Sequence, residues 1–106
     1  MEDKLTELLK SIGLSQNEVE VYIDLLKNKA SSAYSIAQRI SQHRSSVYES
    51  LRRLLMIGFI VEIQEDSRKL YQTKEHTAIE EYLNQKLSEL KTLTPFLKEI
   101  TNTETP

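Results

Sequence analysis

One stretch of the sequence, RSSVYESLRRLLMIGFIVEIQEDSRKLYQT at residues 44–73, decides the fold. The apolar residues of its first half are spaced as on one side of a helix: Val47, Leu51, Leu54 and Leu55. This spacing predicts a helix over residues 43–57, with Gly58 as its C-terminal cap. After Gly58 the period changes, because the residues become mostly β-branched or aromatic and then alternate with polar ones. The stretch therefore passes from a helix directly into strands.

The strands predict a β-hairpin. Residues 59–64 and 70–73 have strand character, and the polar residues 65–69 between them predict a connecting loop of about five residues. Upstream, Ser31 and Ser32 can cap a short helix whose apolar residues are Ala33, Ile36, Ala37 and Ile40. Two short helices joined by a turn of three or four residues are typical of a helix-turn-helix. A hairpin that follows the second of these helices is a wing, so the sequence predicts a mainly α winged helix-turn-helix.

Two further helices precede this motif. Leu5, Leu8, Leu9 and Ile12 recur at helical spacing before Gly13, which predicts a first helix that ends in a left-handed cap. Ser15 and Glu18 form the S-x-x-E pattern of a capping box, which begins a second helix extending to about Asn28. Both helices are expected to contribute to the core.

The C-terminal part predicts one long helix over residues 77–100. A helix of this length would be about 36 Å long, which exceeds what a small domain covers with its own core. We therefore expect residues 1–75 to form the winged domain and residues 76–106 to form a dimerisation helix with a frayed tail over the last six residues. The alternative is that this helix folds back on its own winged domain. Pro95 predicts a kink or the start of a new short helix. The predicted dimer interface follows a nearly heptad spacing: Ile79, Leu83, Leu87, Leu90 and Leu97.

Composition excludes several classes of protein. The chain has 106 residues and no cysteine, so disulfides, thiolate metal sites and cysteine nucleophiles are excluded. His43 and His76 have no partners at ligand spacing, and neither a phosphate-binding glycine loop nor a nucleophile elbow is present. We therefore expect no metal, no cofactor and no enzymatic activity.

The sequence also predicts where the protein is located. The N-terminus lacks the basic start and apolar run of a secretory signal, and no stretch is apolar enough to span a membrane. These features predict a cytoplasmic protein.

The charge distribution identifies the part of the chain that could face nucleic acid. The formal net charge is −2, which argues against a general nucleic-acid coat. Residues 39–74, however, carry seven Arg or Lys and four acidic residues, whereas both ends of the chain are acidic. A phosphate-binding surface is therefore expected only in this middle third.

The predicted recognition helix has one face available for DNA. With Val47 at the centre of the buried side, Ser45, Glu49 and Arg52 lie roughly opposite it. The first turns of a recognition helix enter the major groove, which makes these residues the candidates for contacting base edges: His43, Arg44, Ser45, Ser46 and Glu49. Arginine can contact guanine through two hydrogen bonds, so Arg44 is the strongest of them.

Other residues are candidates for contacts with the DNA backbone. The predicted set comprises Ser32, Tyr48, Arg52, Arg53, Arg68 and Lys69. For Tyr48, packing against the wing is the preferred interpretation, ahead of a phosphate contact through its hydroxyl. A pair of basic residues at a hairpin tip, such as Arg68 and Lys69, also occurs often without any role in binding.

Three segments of the sequence resemble the N-terminal domain of the TrmB family of mainly archaeal transcription regulators. They are GLSQNEVEVYIDLL, RSSVYESLRRLLMIGFIVE and LYQT, at residues 13–26, 44–62 and 70–73. The resemblance covers residues 9–82 and implies a winged helix-turn-helix that binds DNA. Family members typically have proline before the arginine that starts the recognition helix, and His43 stands at that position here. Many members continue into a sugar-binding domain, but the sequence ends at Pro106, so sugar sensing by that route is not expected.

The sequence thus predicts a homodimeric regulator that binds double-stranded DNA at a near-palindromic operator. Its two recognition helices would enter successive major grooves about 34 Å apart. The alternative is a winged-helix adaptor that docks on protein through its acidic outer surfaces and does not contact DNA. An effector that binds between the long helices and the winged domain remains an open alternative.

Overall fold

The computed structural model describes the backbone of residues 1–103 and the side chains of residues 1–101. The chain forms two compact units, Met1–His76 and a C-terminal helix. The elements in chain order are α1 (Glu2–Ser11), α2 (Gln16–Lys27), α3 (Ala33–Ile40), α4 (Arg44–Met56), β1 (Ile60–Glu65), β2 (Arg68–Thr73) and α5 (Ala78–Thr103). The first unit is a winged helix-turn-helix, as predicted.

Glycines end two of the helices in the predicted way. Gly13 and Gly58 follow the last residues of α1 and α4 with φ of 112° and 83°. In each case the next amide reaches back to the helix: Leu14 N–H donates to the Leu9 carbonyl at 3.0 Å, and Phe59 N–H donates to the Leu54 carbonyl at 3.0 Å. This pattern satisfies carbonyls at the helix end and needs a residue with a left-handed conformation, which glycine adopts without strain.

The capping box at the start of α2 is confirmed. The Glu18 amide donates to Ser15 Oγ at 3.1 Å, and the Ser15 amide donates to Glu18 Oε1 at 2.9 Å. The helix then contributes Val19, Tyr22 and Leu25 to the core. Val21 is also fully buried, whereas Leu26 is 44% exposed. The buried face of α2 therefore includes Val21 and leaves Leu26 at the surface.

The core lies between α2, α3, α4 and the wing. Its largest fully buried side chains are Phe59, Leu9, Leu25, Ile36, Leu51, Leu54, Ile60, Val19, Val21 and Val47. The Tyr22 and Phe59 rings, whose centroids are 5.7 Å apart, pack at a tilt that is favourable for aromatic pairs. The hairpin is thereby held against the helices that precede it.

An ion pair with a buried carboxylate joins α2 to α3. Asp24 is 8% exposed, and Arg39 donates to its carboxylate from Nε at 3.0 Å and from Nη2 at 2.7 Å. Arg39 Nη2 also donates to Ser31 Oγ at 2.8 Å. The hydrogen bonds that Arg39 donates to this carboxylate raise the pKa of Arg39. Arg39 belongs to the basic middle third of the sequence, but its charge is paired with Asp24 inside the fold.

The hairpin is tighter than predicted. β1 and β2 pair antiparallel, and Glu65 faces Arg68 across a turn of only two residues, Asp66 and Ser67. Asp66 adopts φ of 55°, a conformation that aspartate tolerates better than most residues and that suits a two-residue turn. The prediction of a five-residue loop was wrong. Arg68 and its neighbours are polar, as loop residues usually are, but they pair as strand residues here. Lys69 likewise lies in β2.

A third segment extends the sheet. Ser31 pairs with Tyr71 as an isolated antiparallel bridge, with N–H···O distances of 2.9 and 2.8 Å. The residue before α3 thus holds β2 from the side opposite β1. The sequence did not predict this pairing.

Helix α5 has 26 residues and includes Pro95. Of the two alternatives predicted for Pro95, a kink or the start of a new short helix, the second is wrong, since one helix runs on through this residue. A proline inside a helix removes one backbone hydrogen bond, and the neighbouring Thr94 hydroxyl donates to the Leu90 carbonyl at 3.2 Å. Residues 101–103 are helical, which corrects the expected fraying there; the rest of that prediction concerns residues 104–106, outside the described residues.

Replacing Arg39 tests the structural role of the ion pair. Arg39→Ala leaves the buried carboxylate of Asp24 without its guanidinium, and we expect the free energy of unfolding to fall by about 2 to 4 kcal/mol. Urea denaturation measures this loss. Adding Asp24→Ala should recover part of it, because the uncompensated charge is then removed. A loss below about 0.5 kcal/mol for Arg39→Ala would contradict the role assigned to the pair.

Alkaline pH should destabilise the fold through two buried tyrosines. Burial raises the pKa of Tyr22, and burial, followed by the charges of Glu62 and Tyr48, raises the pKa of Tyr71. Below about pH 10 both hydroxyls are neutral whether the chain is folded or not, so their contribution is fully present. Above that pH the unfolded chain ionises first, and the free energy of unfolding should fall as pH rises. Chemical denaturation of the wild type between pH 9 and 11 measures this fall. The double variant Tyr22→Phe with Tyr71→Phe should lose less of its free energy of unfolding over the same range.

Candidate nucleic-acid interface

The N-terminal turns of α4 present a polar face. Val47, Ser50, Leu51 and Leu54 bury the opposite side of the helix. Arg44, Ser45, Glu49 and Arg52 are exposed, Ser46 is half-buried, and His43 is exposed at the N-cap position. The side chains predicted to contact base edges therefore lie together at one end of α4. Their roles toward DNA stay predictions.

Tyr34 of α3 holds Arg44. The guanidinium carbon of Arg44 lies 5.5 Å from the centroid of the Tyr34 ring, within the range of a cation–π contact. Gln38, one turn further along α3, donates from Nε2 to the Tyr34 hydroxyl at 2.7 Å. Tyr34 is 51% exposed, so the ring supports Arg44 at the surface of the protein. The sequence contained one signal for this residue, a large aromatic residue on the exposed side of a short helix.

A groove separates α4 from the wing, and we call it the wing groove. It is lined by Ser32, Ala33, Tyr34, Arg44, Tyr48, Ser67, Arg68, Lys69 and Tyr71. These described lining residues include three cationic side chains and no carboxylate. The two-residue turn brings about this arrangement, because it places Arg68 and Lys69 on β2 beside α4. Cations gathered in a concave surface favour an anionic partner.

A second groove lies further along α4. It is lined by Tyr48, Leu51, Arg52, Leu55, Glu62, Lys69 and Tyr71. Tyr48 lines both grooves and is 42% exposed, which agrees with the interpretation that it packs beside the wing. Arg52 and Lys69 line this groove from α4 and from β2, and Glu62 partly offsets their charge.

Two predicted backbone contacts have partners inside the fold. Nη1 of Arg53 lies 3.7 Å from Glu18 Oε2, at the end of α4 far from Arg44. Ser32 caps α3 by accepting from the Ser35 amide at 3.2 Å, although it still lines the wing groove. The structure therefore brings Arg44, Tyr48, Arg52, Arg68 and Lys69 together and places Arg53 elsewhere.

Other kinds of site were also considered. Within residues 1–103, no group of three or more His, Asp or Glu is placed to hold a metal ion. Over the same residues, no helix combines the length and the apolar character needed to cross a membrane.

Known proteins share parts of this sequence and its fold. An uncharacterized protein of Methanocaldococcus jannaschii is 37% identical over 57 residues, which cover 53% of this chain and 48% of that protein. The structure is similar to that of TrmBL2, described as an archaeal chromatin protein with a novel mode of DNA binding. The TM-score is 0.82 and the sequence identity is 19%, and the match covers 96% of this chain and 40% of TrmBL2. A possible transcriptional regulator from Methanosarcina mazei gives a TM-score of 0.74 and 13% identity over 96% and 90% of the two chains.

These matches cover unequal parts of the proteins concerned. The chain spans less than half the length of the Methanocaldococcus protein and of TrmBL2. The structural similarities, at identities of 13 and 19%, establish the winged helix-turn-helix fold. The family described as sugar-specific transcriptional regulator TrmB matches residues 9–77, which are more than half of the sequence, so this chain belongs to the TrmB family.

Proposed function

We propose that this protein binds double-stranded DNA in a sequence-specific manner as a homodimeric transcription regulator, with α4 in the major groove. The observation that carries this proposal is the wing groove, where Arg44, Arg68 and Lys69 meet beside the exposed end of a recognition helix. Membership in a family of transcriptional regulators supports it, as does the fold shared with TrmBL2, a DNA-binding chromatin protein.

Arg44 is the principal base-contacting residue in this proposal. It is the first residue of α4, and helix-turn-helix proteins present the N-terminal residues of this helix to base edges. Its guanidinium can donate two hydrogen bonds to guanine, and Glu49 can accept one from a cytosine amino group. Tyr34 limits the directions in which Arg44 can point. His43, Ser45 and Ser46 complete the predicted base-contacting set.

The other cations bind phosphate. Arg52 lies two turns beyond Arg44 on the exposed face of α4, and Arg68 and Lys69 approach from the wing. Phosphate contacts position a protein on the duplex, whereas base contacts select the sequence. Arg39 and Arg53 are paired with Asp24 and Glu18, so they are left out of this set.

A homodimer gives the operator its symmetry. Two copies related by a two-fold axis bind two half-sites of a near-palindrome, about 34 Å apart. The exposed leucines of α5, together with Ile79, supply the surface for pairing: Leu83, Leu87, Leu90 and Leu97. Such a regulator acts in the cytoplasm, where the DNA of archaea and bacteria lies.

Protein docking is the competing function. A groove of the first unit is lined in part by Glu2 and Glu20, whose carboxylates could face a basic protein partner. That function needs neither the α4 face nor the wing groove. It predicts that charge reversal at Arg44 and Arg52 leaves the partner bound.

Binding to a randomised duplex pool separates the two functions. After one round of selection, fluorescence anisotropy at about 50 and 200 mM salt should show enrichment of a two-fold symmetric site. Affinity should fall by orders of magnitude between the two salt concentrations, because phosphate contacts release counterions. Failure to bind any duplex at the lower salt concentration would favour the protein-docking function.

Two arginine variants should differ in how they lose affinity. Arg44→Ala should cost about 1 to 3 kcal/mol on the selected site and relax the preference at one base position. Arg52→Ala should weaken binding to all sequences alike and lower the salt dependence. Lys10→Ala, an exposed residue of α1, is the matched control and should bind like the wild type. An equal loss on every sequence for Arg44→Ala would contradict its role in base recognition.

Charged substitutions in α5 should separate the dimer. Leu87→Glu with Leu90→Glu places two carboxylates in the apolar surface, and light scattering should then give the mass of one chain. Ser88→Glu with Thr92→Glu adds the same charge on the other side of α5 and should leave a dimer. If the leucine variant keeps the mass of two chains, α5 does not pair through these residues.

A further inference from the structure

Helix α5 carries a row of leucines that the described residues of the chain leave partly exposed. Leu83, Leu87, Leu90, Leu93 and Leu97 are between 37 and 55% exposed. In a heptad that counts Leu87 as position a, Leu83, Leu90 and Leu97 occupy d, and Leu93 occupies g. Soluble proteins seldom leave such a surface open to water, so a partner is expected on it.

The residues beside this surface differ on its two sides. Position g holds Ile79, Lys86, Leu93 and Ile100, whereas position e holds Asn84, Lys91 and Lys98. Nζ of Lys86 already lies 3.7 Å from Glu89 Oε1 and 5.5 Å from the centroid of the Tyr82 ring. A second ammonium group close to Lys86 would therefore compete for a carboxylate that is already in use.

Parallel pairing brings like charges together. In a parallel pair, each g residue faces the e residue five positions later on the other helix. Lys86 would then face the partner's Lys91, and the symmetric contact would repeat this repulsion. Leu93 would face the partner's Lys98, which leaves its apolar surface poorly covered.

Antiparallel pairing avoids this conflict in one register. Positions a and d then face each other, and each flank pairs g with g or e with e. When Leu87 faces the partner's Leu90, Lys91 lies near the partner's Asn84, and Lys86 lies near the partner's Leu93. Shifting the pairing by one heptad in either direction places Lys86 against its own copy or Lys91 against its own copy. Like charges at such close positions destabilise a pair.

We propose that two copies of this chain pair through antiparallel α5 helices, with Leu87 against the partner's Leu90 and Leu83 against the partner's Thr94. The pairing rests on the proposed homodimer and adds its orientation and register. The second copy is the occupant that the charges favour, because reversing it removes the contacts between lysines at both flanks.

The same register fits the proposed binding of DNA. It brings Ala78, the first residue of α5, to the level of residue 99 of the partner. The two α5 helices therefore start about 32 Å apart along their common axis, at 1.5 Å per residue. This separation is close to the 34–36 Å between half-sites on one side of DNA. Parallel helices would start about 8 to 10 Å apart.

Engineered cysteines test the orientation, and the natural sequence contains none that would interfere. The full chain carrying both Leu83→Cys and Thr94→Cys should form a disulfide-linked dimer on mild oxidation, observed on a non-reducing gel. Each single variant should remain unlinked, because antiparallel pairing holds identical positions about 16 Å apart. Gln85→Cys, on the other side of α5, is the matched control and should also remain unlinked.

The outcomes separate orientation from dimerisation. Efficient linking of Leu83→Cys to itself would overturn the proposal in favour of parallel pairing. Failure of the double variant to link in a protein that light scattering shows to be a dimer would overturn the register. A single-chain mass for the wild type would overturn both the pairing and the homodimer, whereas DNA binding by the winged domain is judged independently by anisotropy.

Discussion

The buried contact between Asp24 and Arg39 fixes the arrangement on which the interface depends. The carboxylate of Asp24 is buried in the core, and the guanidinium of Arg39 donates to both of its oxygens. The same guanidinium donates to Ser31, whose backbone pairs with Tyr71 of the wing. One ionic contact therefore ties α2, α3 and β2 together. Since α3 carries Tyr34, the ion pair also helps to position the ring beside which the Arg44 guanidinium lies.

The signals that predicted the fold are local. A capping box, two glycines after helices and a change of period at Gly58 each involve residues within a few positions of one another, and all of them are present in the structure. The two-residue turn at Asp66 and Ser67 was missed because Arg68 and Lys69 resemble loop residues by composition. Pairing across the sheet, which depends on the register, determines their conformation.

The candidate interface was predictable only in part. Helical spacing identified the exposed face of α4, because one buried position fixes the direction of every other side chain on a helix. The roles of Arg39 and Arg53 were not predictable, since their partners Asp24 and Glu18 are distant in sequence. Tyr34 was missed for the same reason, because its contact with Arg44 depends on how α3 crosses α4. Charge counts along a chain therefore overstate the cations available to a ligand.

The contact between Tyr34 and Arg44 has a consequence for the entropy of recognition. A free arginine side chain carries about 2 kcal/mol of rotamer entropy, much of which is lost when its guanidinium docks on a base. Tyr34 already restricts these rotamers in the unbound protein. Part of the entropy cost of ordering Arg44 is therefore incurred when the protein folds, before any ligand binds. In the proposed complex with DNA, a side chain restricted in this way has fewer alternative conformations with which to accommodate a different base, so we expect the Tyr34 ring to narrow the set of sequences that Arg44 tolerates.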